Sequence, residues 1–209
     1  MKMFVVLMLL VLAVPCMSQG ITSGTDFLGV PTANVMPVGT MSLTAFSTGP
    51  GLPDASDNSE FFKATVGICD GVEVTSTGGL GNVSIDNTTF GVKVKVGDAT
   101  GDSQWFKPAI FLYGIGDGKT AIPGLALTSY RPGSRLSTSA SGWLVDGDWE
   151  CGAGANYSIS DGIRLVGEYS TDNKGAGGFE LSHKWLVGRV LKMNGDEWFM
   201  EAGASVPLW

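Results

Sequence analysis

The stretch 197–209, EWFMEAGASVPLW, has two faces if it is extended. Trp198, Met200, Ala202, Ala204, Val206 and Leu208 share one parity, and Glu197, Glu201, Gly203 and Ser205 share the other, so a period of two sets an apolar row against a polar one. A soluble domain has little use for a terminal strand with an apolar face, because chain ends fray in water. A transmembrane β-barrel has a use for it. Its last strand must close against its first and turn the apolar row to lipid. The stretch therefore predicts the closing strand of a barrel.

The same residues resemble the C-terminal sorting signal of bacterial outer-membrane proteins, which runs polar, any, Gly, any, any, hydrophobic, any, hydrophobic. Glu201, Gly203, Val206 and Leu208 take those positions in order; Trp209 follows the last of them, and Pro207, a residue rare inside strands, falls within the motif. The resemblance implies a bacterial outer-membrane location, a surround of outer-membrane lipid and insertion by the barrel-assembly machinery.

At the other end of the 209-residue chain, Met1-Lys2 supplies a short positive start and Met3 to Pro15 an apolar run, followed by Cys16-Met17-Ser18. This predicts a secretory signal peptide over residues 1–18, too short for a spanning helix. Ala13-Val14-Pro15 is a poor match to a lipoprotein cut before Cys16. Residues 19–40 read as an N-terminal entry segment and 41–209 as the barrel domain. Pro31, Pro37, Gly29 and Gly39 forbid a regular helix or central strand in the entry segment. Its run GVPTANVMPVG, residues 29–39, resembles the G-x-P-T-A-x-x-x-P-x-G segment of the YjbH-like outer-membrane barrels. That resemblance implies an association with exopolysaccharide export, and it brings no catalytic motif.

Composition narrows the class. Glycine is abundant at 31 residues and charged residues make up only 16%, yet no segment after residue 18 approaches twenty consecutive apolar residues, so helical spans are excluded. The net charge is −7 and the basic residues are scattered, which leaves no footprint for nucleic acid. Beyond the signal the cysteines are Cys69 and Cys151, neither with a His or second Cys at metal-ligand spacing. Free thiols are expected there, with a disulfide as the alternative. No metal or cofactor is expected.

From Met41 onward, short runs of period two alternate with turn signals. Phe62, Ala64, Val66 and Ile68 oppose Lys63, Thr65 and Gly67, and Asp70-Gly71 makes a tight turn into Val72 and Val74 against Glu73 and Thr75. The cleanest run sets Phe90, Val92, Val94 and Val96 against Gly91, Lys93, Lys95 and Gly97. Runs at 106–114, 122–130 and 135–145 alternate less clearly. Trp149 to Tyr157 and Ile163 to Tyr169 restore the pattern, 178–186 continues it, and 189–193 leads through Asn194-Gly195 into the closing strand. The fold class expected is all-β, an antiparallel up-and-down transmembrane β-barrel of about 10–12 strands, functioning as a monomer.

In such a barrel the charged parity faces the lumen. Lys63, Glu73, Lys93, Lys95, Glu150, Arg164, Glu168, Glu180, Lys184 and Glu201 are the candidate lumen charge network, with both signs equally represented. Side chains meeting across a narrow bore would have to pair, so an interior crossed by salt bridges is expected rather than a pore dominated by one sign. Aromatics near the ends of the apolar rows, Trp149, Tyr157, Tyr169, Trp185 and Trp198, suit interfacial girdles.

Catalysis has little to stand on. His183, the one histidine, lies on the apolar parity with no serine at a telling spacing, and no paired-carboxylate, phosphate-loop, dinucleotide or zinc signature is present. The function expected is a small outer-membrane barrel, structural or porin-like, in surface-polysaccharide or small-solute traffic, and not an enzyme. The alternatives are a secreted soluble β-sandwich or lipocalin-like binding module, with the apolar parity as its core, and an outer-membrane lipid-modifying enzyme centred on His183.

Overall fold

The structure is a computed structural model, and it describes residues 30–50, 59–79, 88–97, 106–116, 121–129, 133–171, 175–193 and 197–208. The expected signal peptide, the start of the entry segment, Asn194-Gly195 and Trp209 lie outside them. Twelve strands follow in order: β1 (Thr40–Pro50), β2 (Ser59–Cys69), β3 (Val72–Gly79), β4 (Thr88–Lys95), β5 (Phe106–Ile115), β6 (Ile122–Ser129), β7 (Leu136–Val145), β8 (Asp148–Ser160), β9 (Ile163–Ser170), β10 (Ala176–His183), β11 (Leu186–Met193) and β12 (Glu197–Pro207). Each pairs antiparallel with its neighbours in sequence, and β1 pairs with β12 from Thr40 opposite Pro207 to Pro50 opposite Glu197, which closes the sheet into a barrel. Pro207 is the last residue of β12, where the missing N–H costs least.

The alternation resolves inside from outside. Ser42, Thr44, Thr65, Thr75, Thr128, Ser139, Ser170 and Ser205 are buried, whereas Leu43, Ile68, Ile110, Leu125, Leu127, Leu165, Phe179, Leu181 and Met200 are exposed. A water-soluble protein inverts this order. One closed sheet does not fit the β-sandwich alternative, and twelve strands with the apolar parity turned outward do not fit the lipocalin-like one. Trp149, Tyr157, Tyr169 and Phe106 are exposed near strand ends, where aromatic rings suit a membrane interface.

Local chemistry explains the hairpins. Asp146 (φ 51°) and Gly147 (φ 97°) both take positive φ between β7 and β8, the requirement of a type I′ turn. Asp70-Gly71 forms the tight turn expected between β2 and β3. The run 178–186, expected as one alternating stretch, instead breaks after His183. Lys184 takes φ 54° and the chain reverses through Lys184-Trp185 into β11. Lysine is not a turn-forming residue, so the reversal carries no local signal.

The entry segment reaches the wall through a turn of its own. Thr40 N–H donates to Pro37 O at 3.2 Å, and Gly39 (φ 71°) occupies the third position, where a type II turn requires positive φ. Gly39 N–H donates to Gly67 O at 3.0 Å, and Leu208 N–H donates to Gly39 O at 2.7 Å, so the turn is fastened to β2 and to the end of β12. A Cβ on Gly67 would overlap the carbonyl oxygens of Met36 and Pro37. Gly67→Ala is accordingly expected to lower stability by about 1–3 kcal/mol through overpacking. Urea unfolding in detergent checks this, and an unchanged midpoint would mean that the segment does not lie against β2.

Candidate functional site: the lumen and the segment within it

Eight strands make a bore that side chains can fill, and sixteen leave an aqueous channel. Twelve fall between, so side chains alone do not occupy the centre. Residues 30–37, neither helix nor strand, run through it. Val30 and Ala33 are fully buried, and Thr32 and Met36 are nearly so, in a segment that Pro31 and Pro37 keep from being a regular helix.

Val30 packs with Val166, Leu191 and Phe199, backed by Phe46, Ala176 and Met193. Ala33 packs with Ala109, Phe111, Ala126 and Trp143, backed by Tyr113, Ile122 and Val145. Polar groups on the wall hold the backbone. Ala33 N–H donates to Thr128 Oγ1 at 2.8 Å, and Met36 N–H donates to Glu73 Oε2 at 2.8 Å. Thr128 Oγ1 also shares a hydrogen bond with Ser139 Oγ, 2.8 Å away, in which either hydroxyl can donate.

The charges form two groups on opposite walls. On β3 and β4, Glu73 and Lys93 face each other in register and pair at 2.9 Å, each 1% exposed. The Glu73 carboxylate is thus divided, with one oxygen on Lys93 Nζ and the other on the segment's backbone. On β9 to β12, register aligns Arg164 with Glu180, Glu180 with Arg189 and Arg189 with Glu201. Arg164 Nη1 lies 3.0 Å from Glu180 Oε1, Arg189 Nε and Nη2 lie 3.0 and 2.8 Å from Glu180 Oε2, and Arg189 Nη1 lies 3.2 Å from Glu201 Oε2. The result is a ladder of alternating sign across four strands.

These contacts revise the expected bridging of the bore. The pairs run along the wall, because directly opposed cross-strand residues are within reach and the far wall of a twelve-stranded barrel is not. Of the remaining candidates, Lys63 is half-buried and faces Thr44 and Thr77 in register. Lys95 lies 3.9 Å from the exposed Asp70 at the mouth. Glu150 accepts from Trp143 Nε1 at 2.7 Å, and Glu168 is opposite Gly154 and Ala176. Lys184 sits exposed in the turn before β11 and not on the lumen face. Arg189, the centre of the ladder, is not among the sequence candidates; a charge set between Val187 and Val190 in the run LVGRVLKM is the available signal. In the closing strand, Glu201 and Gly203 face the lumen, while Val206 is half-buried and Leu208 exposed.

No histidine-centred site assembles. His183 is exposed at the end of β10, and no hydrogen bond or ion pair reaches it among the described residues. Cys69 and Cys151 are exposed and unpaired with each other.

The molecule is thus a closed twelve-stranded antiparallel barrel with an apolar exterior, an ion-paired inner wall and a chain segment inside. Solved structures are similar to it in fold. The outer membrane protein Omp33 of Acinetobacter baumannii is similar with a TM-score of 0.50 at 8% identity, over 80% of this chain and 97% of that one. The KdgM porin is similar with a TM-score of 0.50 at 11% identity, over 78% and 97%. KdgM in complex with disordered oligogalacturonate matches equally, at 10% identity over 79% and 97%. The fold is therefore that of bacterial outer-membrane barrels, porins among them. No protein-family model and no curated protein matches the chain.

Proposed function

We propose that the chain is a small porin-like barrel of the bacterial outer membrane, exported by its N-terminal signal, inserted by the barrel-assembly machinery and active as a monomer in surface-polysaccharide or small-solute traffic. The observation that carries this reading is the inverted burial: a closed sheet whose exposed face is Leu, Ile, Val and Phe and whose enclosed face is Ser, Thr and paired charges. Such a surface is stable only where hydrocarbon replaces water. The polysaccharide link rests on the likeness of residues 29–39 to the YjbH-like barrels, and the KdgM complex with oligogalacturonate supports saccharide traffic through this type of fold.

Fractionation tests the reading. The protein is expected in the outer membrane, with heat-modifiable migration in detergent and a discrete conductance after reconstitution. Recovery as a soluble periplasmic monomer would overturn it.

A further inference from the structure

We propose that residues 30–36 are a releasable plug, an intramolecular peptide ligand that closes the bore and whose departure opens it. The inference rests on the porin-like reading and adds a regulatory element to the same lumen.

Three observations support it. First, the inner wall is shaped for this peptide. Val30 and Ala33 each enter a separate apolar chamber, and the Ala33 and Met36 N–H groups, three residues apart, meet acceptors on β6 and β3. Extended-peptide sites commonly combine main-chain hydrogen bonds with pockets for periodic side chains. Second, the segment stands outside the strand ladder. Among the described contacts its N–H groups meet side-chain acceptors, Thr128 and Glu73, whereas the β1 backbone is paired through eleven residues to β12 and eight to β2. Elements held by few hydrogen bonds open at lower free energy than the scaffold around them. Third, the pivot is built in. Gly39 reverses the chain from the segment into β1 and is fastened to Gly67 and Leu208, so residues 30–36 can swing while the barrel stays paired.

The wall is also prepared for the plug to leave. With the segment gone, Glu73 keeps Lys93, and its other oxygen can take water in place of the Met36 N–H. The ladder from Arg164 to Glu201 makes its ion pairs within the wall. Departure therefore leaves these ion pairs in place and opens the two apolar chambers to the lumen.

The test uses the full mature chain with Cys69→Ser and Cys151→Ser. In that background Ala33→Cys with Thr128→Cys places two thiols at the Ala33–Thr128 contact. Planar-bilayer conductance is expected to be closed when the pair is oxidised and to return on reduction. Separately, Val30→Asp with Ala33→Asp puts unpaired carboxylates into apolar chambers without altering the wall, and the open population is expected to rise about tenfold or more. Equal conductance in oxidised, reduced and Asp forms would overturn the plug, and so would silence of all forms that insert as heat-modifiable barrels. Failure of every form, the parent chain included, to insert would instead overturn the porin-like reading, so the two failures are distinct.

Discussion

Arg189→Met is expected to destabilise the barrel by about 3–5 kcal/mol, because removing one member of a buried ion pair leaves its partner charged and poorly solvated. Arg189 is the central cation of the ladder. Its guanidinium spans Glu180 on β10 and Glu201 on β12, with two nitrogens on one carboxylate and one on the other, and its side chain is 7% exposed. Methionine keeps much of the volume and none of the charge. Glu180 retains Arg164, so the larger loss falls on Glu201. The double variant Arg189→Met with Glu201→Gln should therefore be more stable than the single one, since the orphaned carboxylate is neutralised. Urea-dependent unfolding in detergent or vesicles measures both. A single variant within about 0.5 kcal/mol of the parent, the range of ordinary surface changes, would show that the ladder stands in bulk water.

The second large effect lies on the outer face. Leu125 is 58% exposed in the middle of β6, with Ile110 opposite on β5 and also exposed. Leu125→Arg is expected to cost about 2–4 kcal/mol of folding free energy in bilayers, the range for a cation at the midplane of a barrel's lipid face. Leu186→Arg, at the first position of β11 beside the exposed turn, should cost only about 0–1 kcal/mol, because a side chain there reaches the interface. Equilibrium folding into lipid vesicles across a urea series reads out the difference. Equal and small costs at the two sites would mean that Leu125 does not face hydrocarbon.

The legible parts of the sequence were those where a single strand carries its own contrast. Phe90 to Val96, Trp149 to Tyr157 and the closing strand set apolar against polar in period two, and each is a strand of the barrel with the apolar row outward. Strands β5, β6, β7 and β11 were harder to read for a physical reason. Their inner faces carry Ala109, Phe111, Ala126, Trp143 and Leu191, so both faces are apolar in part. Those inner positions answer to Val30 and Ala33, which lie far away in sequence, and no local pattern announces a partner of that kind.

The same distance hid the hub of the ladder. Arg189 owes its importance to register with Glu180 and Glu201, and register between strands is a tertiary property. Prolines and glycines mark the approach to β1 as irregular, and residues 30–37 are neither helix nor strand. Those residue types do not say whether such a segment lies outside the barrel or within it, and the burial of Val30, Thr32, Ala33 and Met36 comes from the closed wall around them.

The seam between β1 and β12 has a consequence for assembly. Every other pairing in the barrel joins strands consecutive in the chain, while this one joins its two extremes. Its closure carries the largest chain-entropy penalty of the twelve and cannot borrow a turn for nucleation. Residues 30–36 lie just before β1, and in the closed barrel the apolar inner positions of β5, β6, β7, β9, β11 and β12 pack on them, so one short segment ties the first strand's approach to the last strand as well as to the middle of the sheet.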